Sequence, residues 1–151
     1  MNTLFKSIKR SREIYASYIE NYTLEQLNFI PDGLRNNLIW NIGHIIVSQQ
    51  RLAYLLSENE TLLTEEFTNK YVNGTIPDGK TTQEEVDEIK RLLFSTIEQT
   101  IIDYEKVKFE NYTETQTRTG FLLTNFEEGM LFNHYHEGVH LGFMMKIKRF
   151  I

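Results

Sequence analysis

The chain has no cysteine. That excludes disulfides, thiolate-held zinc, iron–sulfur clusters and a cysteine nucleophile, and leaves the redox compartment open. Proline is nearly as scarce: only Pro31 and Pro77 interrupt 151 residues, so long stretches are free of helix breakers. No apolar run approaches the ~20 residues of a membrane span. The N-terminal MNTLFKSIKRSR carries cations but no apolar segment behind them, so no secretory signal is expected and the cytoplasm is the expected compartment. A basic surplus is missing as well. With 16 Lys and Arg against 21 Asp and Glu the formal net charge is −5, which argues against nucleic acid, because phosphate contacts need a basic face. Neither an internal repeat nor a low-complexity segment is visible. Residues 1–151 read as one domain, long enough to bury a core without staples.

What is present is helical periodicity. Residues Thr3 to Tyr22 predict a first helix, with Leu4, Ile8, Ile14, Tyr15, Tyr18, Ile19 and Tyr22 at 3- and 4-residue spacings. Thr23 with Gln26 forms a capping box for a short helix that stops before Pro31, and Pro31-Asp32-Gly33 is a turn. A second long helix is predicted from Asn36 or Asn37 to about Ser57, on Leu38, Ile42, Ile45, Ile46, Leu52, Leu55 and Leu56. Glu58 to Lys80 is polar and reads as a long connection with one helical turn around Thr64–Phe67. Thr82 with Glu85 opens a third helix running to about Lys106, and Phe109 to Thr119 reads as irregular or extended. Thr124 with Glu127 is predicted to cap a fourth helix that continues to the C-terminus. The pairs Glu65-Glu66, Glu84-Glu85 and Glu127-Glu128 suit helix starts, and Lys146, Lys148 and Arg149 suit a helix end. Four such apolar stripes predict an all-α four-helix bundle, its topology left open by the long connection.

Four histidines concentrate the chemistry: His44, His134, His136 and His140. His136 and His140, four apart, project from one helix face that also carries Phe132, Phe143, Met144 and Ile147. Their Cβ atoms would lie about 5–6 Å apart, close enough for two imidazoles to share a cation. His44 sits on the apolar second helix near Trp40, Ile45 and Val47. Convergence of the three would make a metal site with open coordination positions, the pattern of catalytic zinc; three satisfied core histidines are the bland alternative. His134, about 200° around the helix from His136, should face another neighbour. The string from His136 to His140 matches HExxH of zinc peptidases literally. No His, Asp or Glu follows His140 to supply the third ligand, Gly138 interrupts the helix, and no strand is visible to hold a peptide. Glu137 is a candidate general base, a group bracing a ligand imidazole, or a solvated carboxylate. Arg51, beyond Ser48, is placed either at a pocket mouth for an anionic substrate or in a surface ion pair.

With these residues in view, the chain resembles the DinB/YfiT-like superfamily of bacterial four-helix metalloproteins over nearly its whole length. The resemblance rests on Trp40-Asn41-Ile42-Gly43-His44-Ile45, on Gly74-Thr75-Ile76-Pro77, and on the run from His136 to Gly142. It implies a divalent metal, zinc or nickel, held by His44, His136 and His140, and a homodimer. Activity varies within the family. Some members are thiol S-transferases using bacillithiol or mycothiol, some relatives are isomerases, and many have no assigned reaction. The leading expectation is therefore a metal-dependent S-transferase acting on small electrophiles, with a low-molecular-weight thiol as co-substrate deprotonated at the metal. A hydrolase using metal-held water with Glu137 as base is the second enzyme reading. A non-catalytic bundle with structural histidines is the third.

Overall fold

The computed structural model describes residues 3–151; Met1 and Asn2, which open the N-terminal segment read above, lie outside the described residues. The chain is all-α apart from one minimal hairpin. Its elements are α1 (Thr3–Asn21), α2 (Leu24–Asn28), α3 (Leu38–Ala53), α4 (Glu65–Tyr71), α5 (Gln83–Glu105), β1 (Thr115–Gln116), β2 (Leu122–Leu123) and α6 (Phe126–Ile147). Single 3₁₀ turns follow α3 (Leu55–Ser57) and α6 (Lys148–Phe150). Four long helices make the bundle. α1 and α3 each pack against both α5 and α6, whereas α1 and α3 touch only slightly. The long helices α1 and α3 therefore sit across a diagonal, which the segment 22–37 carrying α2 crosses. The core follows the predicted stripes, with Ile8, Tyr15, Leu38, Ile42, Ile45, Ile46, Ile89, Leu93 and Ile97 all inaccessible to solvent. No described helix is long and apolar enough to cross a membrane.

The caps are where sequence and structure can be compared atom by atom. The boxes at Thr23/Gln26 and Thr82/Glu85 both form. At α6 the cap is Asn125 rather than Thr124: Asn125 Oδ1 accepts from Glu128 N at 2.9 Å. Thr124 instead donates its N–H and hydroxyl to Glu128 Oε2 at 2.7 and 2.9 Å, closing the same turn from outside. α3 stops at Ala53, short of Ser57. The chain tightens into the 3₁₀ turn and leaves through Glu58 in the left-handed region (φ 59°), which turns Leu55 out to solvent. The single turn expected around Thr64–Phe67 is a seven-residue helix capped by Thr64, because Phe67 and Tyr71 one turn apart both bury against the core. A strand pair also exists where none was visible. β1 and β2 pair antiparallel, Thr115 opposite Leu123, around a turn through Gly120 (φ 90°), a conformation glycine adopts without strain.

Candidate metal centre

α3 and α6 are neighbours in the bundle, and that packing brings together histidines about ninety positions apart in the chain. The ligand atoms of His44, His136 and His140 all lie within 4.8 Å of one another. Nε2 of His136 and Nε2 of His140 are 3.2 Å apart. Two nitrogens bound at about 2.0–2.1 Å to one tetrahedral zinc would be separated by roughly 3.3–3.4 Å, so the pair needs almost no adjustment to share an ion. The ring centroids of His44 lie 4.7 Å from His140 and 5.3 Å from His136. His134 is elsewhere: its Nε2 sits 2.9 Å from Ser7 Oγ on α1, the different neighbour its helical phase required.

The rings are held from behind. His44 Nδ1 donates to the carbonyl of Tyr71 at 2.8 Å, so its Nε2 carries the free lone pair. That carbonyl reaches α3 because position 43 is glycine: a Cβ there would lie 2.5–2.8 Å from the Tyr71 ring, closer than atoms can pack. His140 Nδ1 donates to Asn41 Oδ1 at 2.7 Å. The Asn41 amide cannot turn around, because its Nδ2 already donates to Asn37 O at 2.7 Å and to Asn36 Oδ1 at 3.1 Å. Nε2 of His140 is thus also bare. Trp40 stacks on His44 with centroids 4.7 Å apart, and its indole N–H is anchored on Thr75 Oγ1 at 3.0 Å. The Gly-Thr-Ile-Pro connection thereby reaches the site through that one indole. Ser48 Oγ lies 3.2 Å from His44 Nε2 and donates to it.

Burial disfavours charge on all three imidazoles. His44 titrates below the ordinary 6.5 despite the Tyr71 carbonyl. Burial takes His136 down to about 4, with the neighbouring His44 adding to it, and His140 to about 3, with His136 and His44 adding. Neutral imidazoles are what a cation requires. His136 Nδ1 is buried with no partner, so no described residue fixes that ring's tautomer. Converging lone pairs on neutral rings, fixed by hydrogen bonds to a carbonyl and an amide, are the arrangement of a metal-ligand set. The three histidines fit a divalent ion.

The family model of the DinB superfamily matches residues 7–144. The chain belongs to the DinB superfamily. No curated protein matches it.

In this DinB chain Glu137, the other candidate of the sequence reading, points away from the triad's neighbours on α3. It is inaccessible to solvent, and its Oε1 accepts from Arg12 Nη2 at 2.6 Å, Arg12 Nε at 3.1 Å and Asn133 Nδ2 at 2.9 Å. The solvated-carboxylate alternative is therefore excluded. Arg51 is exposed and forms no ion pair among the described residues, so the surface-pair alternative for it is not realised. Three contributors to the centre were not singled out from the sequence: Asn41, the Tyr71 carbonyl and Arg12 behind Glu137. Asn41 could have been, since it is a polar residue one turn before His44 in the otherwise apolar first half of α3. Arg12 could also have been, since it interrupts the stripe Phe5, Ile8, Tyr15 at a helical position. A main-chain carbonyl carries no such signal.

Proposed function

We propose that this DinB-superfamily protein is a metal-dependent transferase that joins a low-molecular-weight thiol to small electrophiles, with His44, His136 and His140 as ligands of one zinc or nickel ion. The observation that carries this reading is the convergence of three ligand atoms within 4.8 Å, with two of the rings already fixed by partners on their far nitrogens. An ion held there would lower the pKa of a thiol placed on its open positions and so supply a nucleophile at neutral pH.

The chain's own groups divide the remaining work. Tyr71 and Asn41 hold two ligand rings in their binding tautomers. Trp40 covers His44 from one side. The Ser48 hydroxyl, now donating to the lone pair that an ion would take, turns to hydrogen-bond the incoming substrate atom. Arg51 lies seven residues beyond His44, about 10.5 Å along the same stripe of α3, and helical side chains lean toward the N-terminus. Its unpaired guanidinium faces an anionic group of a substrate whose reactive atom is at the histidines. Glu137 is a positioning residue, since its paired oxygen is occupied by Arg12 and Asn133. A protein without cysteine is compatible with a thiol brought from outside.

Metal analysis of protein purified without a histidine tag should find a stoichiometric divalent ion, lost in each of His44→Ala, His136→Ala and His140→Ala. Retention of that ion in all three variants defeats the triad. Adduct formation between a small thiol and monochlorobimane, abolished by a chelator, supports thiol transfer. Chelator-sensitive ester hydrolysis without any thiol adduct would reassign the same centre to a hydrolase.

A further inference from the structure

An aromatic wall stands beside the histidine triad and takes no part in holding its rings. Phe132 is one turn before His136 in the row that continues to His140, and its ring lies 6.1 Å from the His136 ring, inclined to it by 27°. Two further rings close on it, Phe121 of the hairpin at 5.3 Å and Tyr135 at 5.9 Å. Phe132 is half-buried and packs on Leu52, Leu56 and Leu123. Phe121 is 45% exposed, yet its backbone is pinned: its N–H donates to Thr117 Oγ1 at 3.0 Å and its carbonyl accepts from Thr117 N at 2.8 Å. The hairpin thus holds a large ring in water against another ring, and grouped exposed aromatics of this kind mark a binding surface. Across the cleft, Asn41 meets His140 and the Leu52 carbonyl stands against Gly129. Helices α3 and α6 therefore run antiparallel, and the stretch from Ser48 to Arg51 passes Phe132. The Arg51 charge is close enough to act on the Tyr112 phenol, and Tyr112 packs on the same leucines as Phe132. A cation and an aromatic wall frame one mouth beside the triad.

We propose that Phe132 and Phe121 form the subsite for the electrophile and select an aryl group joined through one carbon to its leaving group, as in an arylmethyl halide; the assignment rests on the thiol-transfer reading above. A flat ring laid on Phe132 gains the offset or edge-to-face contact that a saturated group of the same size lacks. Phe132 is the ring next to His136 in its row, so a carbon one bond outside the stacked ring comes to the open side of the triad. There the thiolate sulfur bonds to that carbon, the carbon–halogen bond breaks with its electron pair leaving on the halide, and the thiol proton passes to solvent. Arg51, on the α3 wall, is left to hold the anionic group of the thiol. The two co-substrates are thereby sorted by chemistry, the apolar one to α6 and the charged one to α3.

Calorimetric titration of the zinc-loaded protein with S-benzyl-L-cysteine and with S-cyclohexylmethyl-L-cysteine compares a flat and a saturated ring on the same thiol. The flat ring should bind about 2–10-fold tighter to the wild type, the value of an aromatic pair. Phe132→Leu keeps apolar bulk on the leucines and should bring the two ligands to parity. Phe121→Ser, at an exposed position, should reduce the preference, and Phe29→Ser, at the exposed C-cap of α2, should leave it unchanged. In the same two cleft variants the KM for benzyl chloride should rise while the KM for L-cysteine holds. Equal affinity for the two rings in the wild type, or a preference that survives both cleft variants, overturns the subsite. Chelator-sensitive formation of S-benzylcysteine without any ring preference would refute the subsite and leave thiol transfer standing. A ring preference that depends on Phe132, with no such adduct formed, would uphold an aryl-binding site beside the triad and defeat thiol transfer.

Discussion

α6 carries two buried polar centres side by side, and they are built on opposite terms. Glu137 and Asn133 turn toward α1, where Arg12 gives the carboxylate Oε1 two hydrogen bonds and the opposite charge, while Glu137 Oε2 and Asn133 Oδ1 have no partner among the described residues. His136 and His140 turn toward α3, where they meet His44 and nothing of opposite sign. In the first centre the acceptor Oε1 is saturated by donors from the protein. In the second, acceptors are supplied to the rear of two rings, the Ser48 hydroxyl reaches one front nitrogen, and the front nitrogens crowd one another. A charge-balanced polar centre holds helices in place; a centre that converges lone pairs and supplies no counter-charge is built to receive a cation. One helix delivers both because adjacent residues on an α-helix point about 100° apart.

The largest effect expected from breaking that symmetry lies in the closed centre. Arg12 and Glu137 are both fully buried, so Arg12→Ala leaves a carboxylate unpaired in the interior and should cost about 3–5 kcal/mol in chemical denaturation. The double variant Arg12→Met with Glu137→Leu removes both charges and should recover most of that loss, because replacing a buried pair by apolar groups of similar size is often nearly neutral. A double variant as unstable as Arg12→Ala would show that the pair matters through its geometry rather than its charge balance.

The open centre should respond to metal and not to charge removal. Zinc at a hundredfold excess over its Kd should stabilise the metal-free protein by about 2.7 kcal/mol, read as a rise in Tm, and the histidine-to-alanine variants should lose that response. The Arg12→Met/Glu137→Leu protein should keep it. Loss of the zinc response in that double variant would mean that the two centres are not separable. A smaller effect is expected behind the ring of His140. Asn41→Ala removes the acceptor of its Nδ1 proton and should lower metal affinity by about 10–100-fold, measured by competition with a chromophoric chelator.

Gly43→Ala probes the centre from its other side. The added Cβ would overlap the Tyr71 ring, which is 2% exposed and has little room to retreat. Overpacking of this kind costs about 1–3 kcal/mol. Because Tyr71 also carries the carbonyl that orients His44, metal affinity should fall together with stability. Unchanged affinity in a destabilised variant would separate the ring from the carbonyl.

The parts of this arrangement readable in the sequence are those governed by local rules. Apolar residues at helical spacing located the four long helices, and the i,i+4 spacing of His136 and His140 put two ligands on one face before any packing was known. The Thr82/Glu85 box was readable because both partners lie within one turn. What escaped depends on partners distant along the chain or on close competition. Arg12 breaks the apolar stripe of α1, but its partner Glu137 lies 125 residues away and no local spacing names it. Thr124 and Asn125 are both good caps, and the choice between them was decided by which backbone N–H Asn125 reaches. The full length of α4 followed from burial of Tyr71 beside Gly43, a contact that helix propensity does not report.

An exposed ion pair gives the smallest expected effect and a pH-dependent counterpart to the buried one. Lys70 on α4 is paired with Glu85, the capping-box residue of α5, and both side chains are more than a third exposed. Slight burial pushes the Glu85 carboxyl up, but the ammonium of Lys70 and the Thr82 donors outweigh it and hold the carboxyl below its ordinary 4.5. A depressed carboxyl pKa contributes stability that is fully present above about pH 4.5 and fades as the pH falls through the folded-state value, because the unfolded chain then binds the proton first. Solvent screening keeps the contribution of the pair under about 1 kcal/mol. Lys70→Met should therefore destabilise slightly at neutral pH, and its deficit against wild type should close as acid protonates Glu85. Added salt should narrow the same deficit. The cost of Arg12→Ala should survive the salt, since no ion reaches a pair with no exposed surface. A Lys70→Met deficit that persists in acid and in salt would mean that the side chain acts through its packing on Tyr71, whose ring centroid lies 5.9 Å from the ammonium.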